Sequence, residues 1–265
     1  MSFTLIKGVF HLDAGIPDGD SVRFLADNDL LFDNLRGLPV EFRTDGTVML
    51  RYEGIDAVEK TAIQPFATAA RELNFALLRE QADPHTNAPR GFILSRQTDK
   101  NRRPVSFAFS GDIDQDDGSI VFLDVELLRR SVNLKLVAKG QAYTMFYETL
   151  FAELRVELTA AFKSARRRAL GIHRQDASLT GTSFQGRPSL DEIPPIFPKL
   201  WRRLEEYSRN HKDLAEFIHF MRTKVTDKLF TISDGRHISF DNAITVTGNN
   251  LKMKYEPFDM VFRPA

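Results

Sequence analysis

Four short runs rich in Val, Phe and Leu open the chain: FTLIKGVFHL at 3–12, SVRFLA at 21–26, LPVEFRT at 38–44 and TVMLRYEGI at 47–55. Gly, Pro, Asp or Asn separates each from the next, so the first 60 residues predict strands joined by turns. The period then changes. In QPFATAARELNFALLRE, Phe66, Ala70, Leu73 and Leu77 fall close to helical spacing behind Pro65, whose missing N–H costs nothing at a helix start. RGFILSRQTDKNRRPVSFAFSG returns to strand, with Val105, Phe107 and Phe109 in alternation, and predicts a β-hairpin.

After the acidic turn DIDQDDG and a short strand around SIVFLD, helical spacing is expected over 124–140 and again over 146–170. The second segment ends in a basic turn that suits the negative end of a helix dipole. Residues 174–195 are dense in Ser, Thr, Gly and Pro and are expected to form a linker. Beyond it, PKLWRRLEEYSRN and KDLAEFIHFMRTKVTDKL have amphipathic helical spacing, and FTISDGRHISF and AITVTGNNLKMKYE carry hairpin signals. The expected organisation is a first domain over 1–173, a linker over 174–195, and a small α+β domain of unknown role over 196–265.

Composition narrows the function classes. The chain has 265 residues, no cysteine, and 36 basic residues against 36 acidic ones. Thiolate metal sites and cysteine nucleophiles are therefore excluded, and a nucleic-acid site has to be a local patch and not a global basic field. The six histidines lack the tight spacing of a zinc site. GDIDQDDG lacks the ligand spacing of an EF-hand and reads as a solvated turn, and KSARRRALG reads as a basic helix end. No apolar run reaches the length of a membrane span, and the N-terminus has no signal-peptide pattern; the expectation is a cytoplasmic protein, or a secreted one whose leader has been removed.

Three polar stretches stand out. PDGDSVRF places Asp18 and Asp20 around Gly19 at the mouth of a strand, RYEGIDAVE supplies Arg51, Asp56 and Glu59, and TDKNRRP supplies Lys100, Arg102 and Arg103. An Asp-Gly pair by itself is an ordinary turn. Converging on one barrel face, however, the carboxylates and a backbone carbonyl would suit Ca²⁺ or a similar oxygen-loving cation. A further carboxylate could handle the attacking water, and the guanidinium groups would match phosphate oxygens.

In order and spacing these motifs resemble the staphylococcal-nuclease-like (thermonuclease) family. DGDSVRF resembles its Asp-Gly-Asp-Thr-Val strand, RYEGIDAVE its Arg-x(4)-Asp-x-Pro-Glu segment, and TDKNRR its Thr-Asp-Lys-x-Gly-Arg turn. PFATAARELNFALL, LLRRSVNLKLVAKGQAY and AFKSARRRALGIH resemble the family's helices, so the likeness covers about residues 3–173 and leaves the rest as a C-terminal extension. It implies an α+β architecture with a five-stranded OB-fold barrel. It also implies a metal-dependent nuclease that hydrolyses DNA or RNA, single strands favoured, with low sequence specificity.

On that resemblance Asp20 and Asp56 would bind the metal, expected to be Ca²⁺ with Mg²⁺ or Mn²⁺ as substitutes, and Ala57 would give its backbone carbonyl. Glu59 would be the general base or the orienter of water. Arg51 and Arg103 would bind the scissile phosphate, Lys100 would contact a terminal phosphate, and Asp18 would tune the site. Val58 stands in place of the usual Pro, Arg102 in place of the Gly before the catalytic Arg, and Pro104 follows, so Arg102 is a second candidate for the role of Arg103. Phe146 and Tyr147 lie near positions where the family presents tyrosines to a base. The alternative is a non-catalytic OB module that binds nucleic acid or a protein. The C-terminal unit is open to a role in partner binding, substrate preference or self-association.

Overall fold

The computed structural model describes residues 2–14, 18–58, 64–225 and 227–263. The chain opens with the long strand β1 (Ser2–His11), then β2 (Arg23–Ala26), followed by a 3₁₀ turn at Asp29–Asn34 that Asn28 caps. Next come β3 (Val48–Met49), β4 (Arg51–Tyr52) and β5 (Ile55–Ala57). Helix α1 (Phe66–Leu78) leads to the hairpin of β6 (Arg90–Thr98) and β7 (Pro104–Ser110), and then to β8 (Ile120–Phe122).

These strands make a seven-stranded sheet in the order β3-β2-β1-β6-β7-β4, with β8 on β1. Its two edges, β3 and β4, are one continuous stretch of chain. Val48 pairs with Phe24, Leu50 donates to Val22 O, and then Arg51 and Tyr52 lie parallel to Val105 and Ser106 of β7. One run thus bonds to both ends of the sheet, and the sheet curls into a nearly closed barrel.

The strand expected at 38–44 reduces to a single bridge between Phe42 and Val48. Asp45 draws the chain into a tight turn there, accepting from both the backbone N–H and the hydroxyl of Thr47. The helix expected over 124–140 is broken into α2 (Val125–Arg130) and α3 (Val132–Ala138). Ser131 lies between them in an extended conformation, and its hydroxyl caps Leu134 N–H.

The largest departure lies after α3. Strand β9 (Ala142–Thr144) pairs with β5, and residues expected to begin a helix form β10 (Phe146–Tyr147) instead. Helix α4 starts only at Ala152 and ends at Arg167. The partner of β10 lies far along the chain. After β11 (Thr182–Ser183), α5 (Pro198–Ser208) and α6 (Phe217–Lys224), β12 (Lys228–Thr231) and β13 (Arg236–Ser239) form the expected Asp234-Gly235 hairpin. Then β14 (Ile244–Thr247) and β15 (Asn250–Met253) form the second hairpin. Finally β16 (Met260–Phe262) inserts between β12 and β10, lying parallel to Phe146 and Tyr147.

The expected linker is folded in. Thr182 and Ser183 pair with Leu251 and Asn250, and Ala177, Phe184, Leu190 and Ile193 are buried. One hydrophobic core runs from Phe3 to Phe262 without interruption. At its centre Tyr143 packs edge-on against Phe197, and Phe197 stacks on Phe262. The barrel and the C-terminal elements therefore share a core.

Candidate functional site

Strand alternation sets the site's back wall. At β4, Tyr52 turns into the core and Arg51 turns outward. Tyr52 N–H donates to Asp20 O at 3.1 Å, which registers Asp20 beside this strand. Helix α1 pins the preceding turn: buried Asn74 accepts from Tyr52 Oη at 2.9 Å and donates to the carbonyls of Asp18 and Ser21 at 3.4 and 3.5 Å.

Gly19 has a different reason from the one the Asp-Gly signal suggests. It is not among the glycines with positive φ. A Cβ at Gly19 would lie 2.6 Å from the Ala70 methyl and 2.7 Å from that of Ala57, so the position needs glycine for close approach.

Asp56 reaches the same wall from β5, where it pairs with Tyr143 of β9. It is 1% exposed. Arg51 Nη2 lies 3.9 Å from Asp56 Oδ1. Burial alone would push the Asp56 carboxyl up, but the Arg202 and Arg51 guanidinium groups outweigh it and hold the carboxyl below its usual range. Burial disfavours the Arg51 cation, while Asp56 and Asp20 more than restore it.

Asp18, Asp20, Arg51, Asp56, Lys100, Arg103 and Tyr147 all line one pocket of 560 Å³. Ala57 is buried behind it, against Gly19. Glu59 lies outside the described residues. Among the described residues no group of three or more His, Cys, Asp or Glu side chains is placed to hold a metal ion.

The turn at 98–104 borders the same pocket, next to Arg51, which pairs with Val105. Asp99 organises it, accepting from the backbone N–H of Asn101 and Arg103 and, through its other oxygen, from Arg103 Nε and Nη2 at 2.9 and 2.7 Å. Arg102 adopts φ +60, the left-handed conformation that favours glycine, so the turn keeps its shape at a cost of about 1 kcal/mol. Its side chain leaves the pocket and donates from Nε to Pro39 O. Of the two arginines, Arg103 alone lines the pocket.

Sequence reasoning did not anticipate the C-terminal contribution. Helix α5 lays Lys199, Arg202 and Arg203 along the pocket. Arg202 donates to both oxygens of Asp56, at 3.1 and 2.8 Å. Lys199 and Arg203 each hold one oxygen of Asp227, at 2.9 and 3.0 Å. Burial brings the Lys199 amine down to about 8 against the pull of Asp227. The only sequence signal was the polar face of an amphipathic helix, and nothing in its spacing ties it to a residue 146 positions earlier.

Glu53 was also missed. It lines the pocket, is 2% exposed, and burial pushes its carboxyl up to about 7 despite Arg96 and Arg51 nearby. Tyr147 borders it, its hydroxyl raised by burial and partly offset by Arg51.

The assembly combines two chemistries. Carboxylates as a class suit hard cations and guanidinium groups suit phosphoryl anions, and the pocket is lined by both. No protein-family model matches the chain, and no curated protein does. Among the described residues no helix is long and apolar enough to cross a membrane.

Proposed function

We propose that this chain is a metal-dependent phosphodiesterase of the staphylococcal-nuclease-like kind, built on an OB-like barrel and hydrolysing DNA or RNA strands with low sequence specificity. The observation that carries this reading is the placement of Arg51 in one pocket with Asp20, Asp56, Arg103 and Lys100.

In this reading Asp20 and Asp56 are the residues that would hold a hard divalent cation. Asp20 and Asp56 are buried carboxylates on a pocket wall, and oxygen donors of this type suit Ca²⁺, with Mg²⁺ or Mn²⁺ as alternatives. When bound, such a cation supplies Lewis acidity toward a phosphoryl oxygen. Arg51, fixed by its strand, presents a planar fork to the scissile phosphate and stabilises the charge that develops there. Arg103, on the turn beside Arg51, would join it on the phosphate on leaving Asp99. Tyr147 offers a flat apolar edge beside the strand's bases. Glu59, in the role the resemblance gives it, orients the water.

The test is cleavage of a fluorescent single-stranded oligonucleotide with Ca²⁺, Mg²⁺, Mn²⁺ or EDTA, wild type beside Arg51→Ala and Glu59→Ser. Metal-dependent cleavage reduced by about 10² or more in both variants is expected. Full activity in both sinks the reading.

A second reading has its own observation. The two-point contact of Arg202 on Asp56 neutralises one of the carboxylates, and a permanent pair there would leave a module that binds oligonucleotides without cutting them. Binding without cleavage in every metal is its signature.

A further inference from the structure

Arg202 and a divalent cation need the same atoms. Its guanidinium covers both oxygens of Asp56, and a dication held on that carboxylate would sit within a few ångströms of the guanidinium charge. At that separation in a half-buried pocket the two charges repel, and they compete for the same two oxygens, so cation and guanidinium cannot both occupy them.

The surroundings differ for the other cations. Arg51 is 17% exposed, belongs to a barrel strand and approaches Asp56 only to 3.9 Å. The Arg202 side chain is 33% exposed and borders a pocket with room to receive it. Helix α5 itself is anchored independently, through Lys199 and Arg203 on Asp227 and through buried Leu200, Trp201 and Leu204. A side-chain rotation can therefore take Arg202 off Asp56 while the helix stays in place.

We infer that Arg202 is the resident counter-ion that a divalent cation displaces from Asp56, and that the displaced guanidinium turns to the phosphate of the bound strand. The C-terminal unit is then the second wall of the active site and sets its metal affinity. This rests on the nuclease reading and names a control on the same site.

The experiment is calorimetric titration of Ca²⁺ and of Mn²⁺ into the full chain, wild type beside Arg202→Gln, Arg202→Lys and Asp56→Asn. It is followed in parallel by emission from Trp201, the chain's single tryptophan and the neighbour of Arg202. If Arg202 occupies Asp56 about nine-tenths of the time, Arg202→Gln tightens the apparent Kd about tenfold. Arg202→Lys, which keeps the charge and loses the two-point fork, falls between, and carries the same expectation should the glutamine variant not fold. Wild-type Trp201 emission should move with the metal titration, and that response should be absent in Asp56→Asn.

A Kd that is unchanged or weaker in both Arg202 variants, with wild type binding metal, overturns the inference and leaves the nuclease reading in place. No metal binding by wild type or either Arg202 variant at millimolar concentration, with no cleavage, overturns both.

Discussion

The hydroxyl of Tyr52 donates to Asn74 Oδ1 at 2.9 Å, and this contact ties helix α1 to strand β4 behind the turn that carries Asp20. Asn74 is fully buried and passes the constraint on to the carbonyls of Asp18 and Ser21. Tyr52→Phe leaves a buried amide oxygen without its donor and should cost about 1 kcal/mol in urea denaturation. Asn74→Ala removes the whole relay and should cost roughly 2–3 kcal/mol. If the proposed function holds, both should lower turnover more than they raise KM in the cleavage assay, because the turn that carries Asp20 moves while Arg51 and Arg103 stay. Unaltered turnover in Asn74→Ala would mean that the turn holds its shape without the helix.

Gly19→Ala tests the close approach directly. The added methyl would meet Ala57 and Ala70 at less than 3 Å, from β5 on one side and α1 on the other. Overpacking of this kind costs about 1–3 kcal/mol. Since Ala57 follows Asp56, the displacement is passed to the site, and a thermal melt should fall together with metal affinity. A variant as stable as wild type would show that the two methyl groups yield at little cost.

Glu53 gives the pH dependence. Its carboxyl is raised from an ordinary 4.5 to about 7 by burial, so the folded protein favours the neutral acid. The stability this contributes is complete below the unfolded value of 4.5 and is lost as pH rises through 7. The displacement corresponds to roughly 3 kcal/mol at most. Glu53→Gln keeps the shape and removes the titration. Its melting temperature should exceed that of wild type at pH 8 and converge with it below pH 4.5. Parallel curves across that range would remove Glu53 from the account.

The site was partly legible in the sequence, and the division has a physical cause. Asp20, Arg51 and Asp56 lie on or beside strands whose alternation and turn residues are local signals, and the structure brings them to one pocket. Arg102 shows the limit of that logic. Its backbone follows the turn that a glycine would make, but whether its side chain meets the pocket or Pro39 depends on a loop 63 residues away. Arg202 was invisible for the same reason on a larger scale, since it owes its place to a helix packed across the shared core. The misassigned start of α4 belongs here too. FYETLF has apolar spacing compatible with a helix, and only the distant Val261 and Phe262 make Phe146 and Tyr147 a strand.

That pairing carries the last prediction. The Ser, Thr, Gly and Pro content of 174–195 suggested two separable domains, yet β16 lies between β10 and β12, and Tyr143, Phe197 and Phe262 share one core. Polar contacts cross the same boundary: Arg166 of α4 pairs with Glu256, Tyr143 donates to Asp176, and Arg263 pairs with Glu148. Cutting the chain after residue 173 would expose the large side chains of Tyr143 and Phe146, both fully buried, and leave an open strand edge on β10. The full chain should therefore unfold in a single calorimetric transition whose van't Hoff and calorimetric enthalpies agree. A fragment of 1–173 should be insoluble or bind ANS as a loosely packed state. Two resolved transitions, or a soluble fragment with the melting point of the whole, would show that the shared core contributes little and that the two units fold independently.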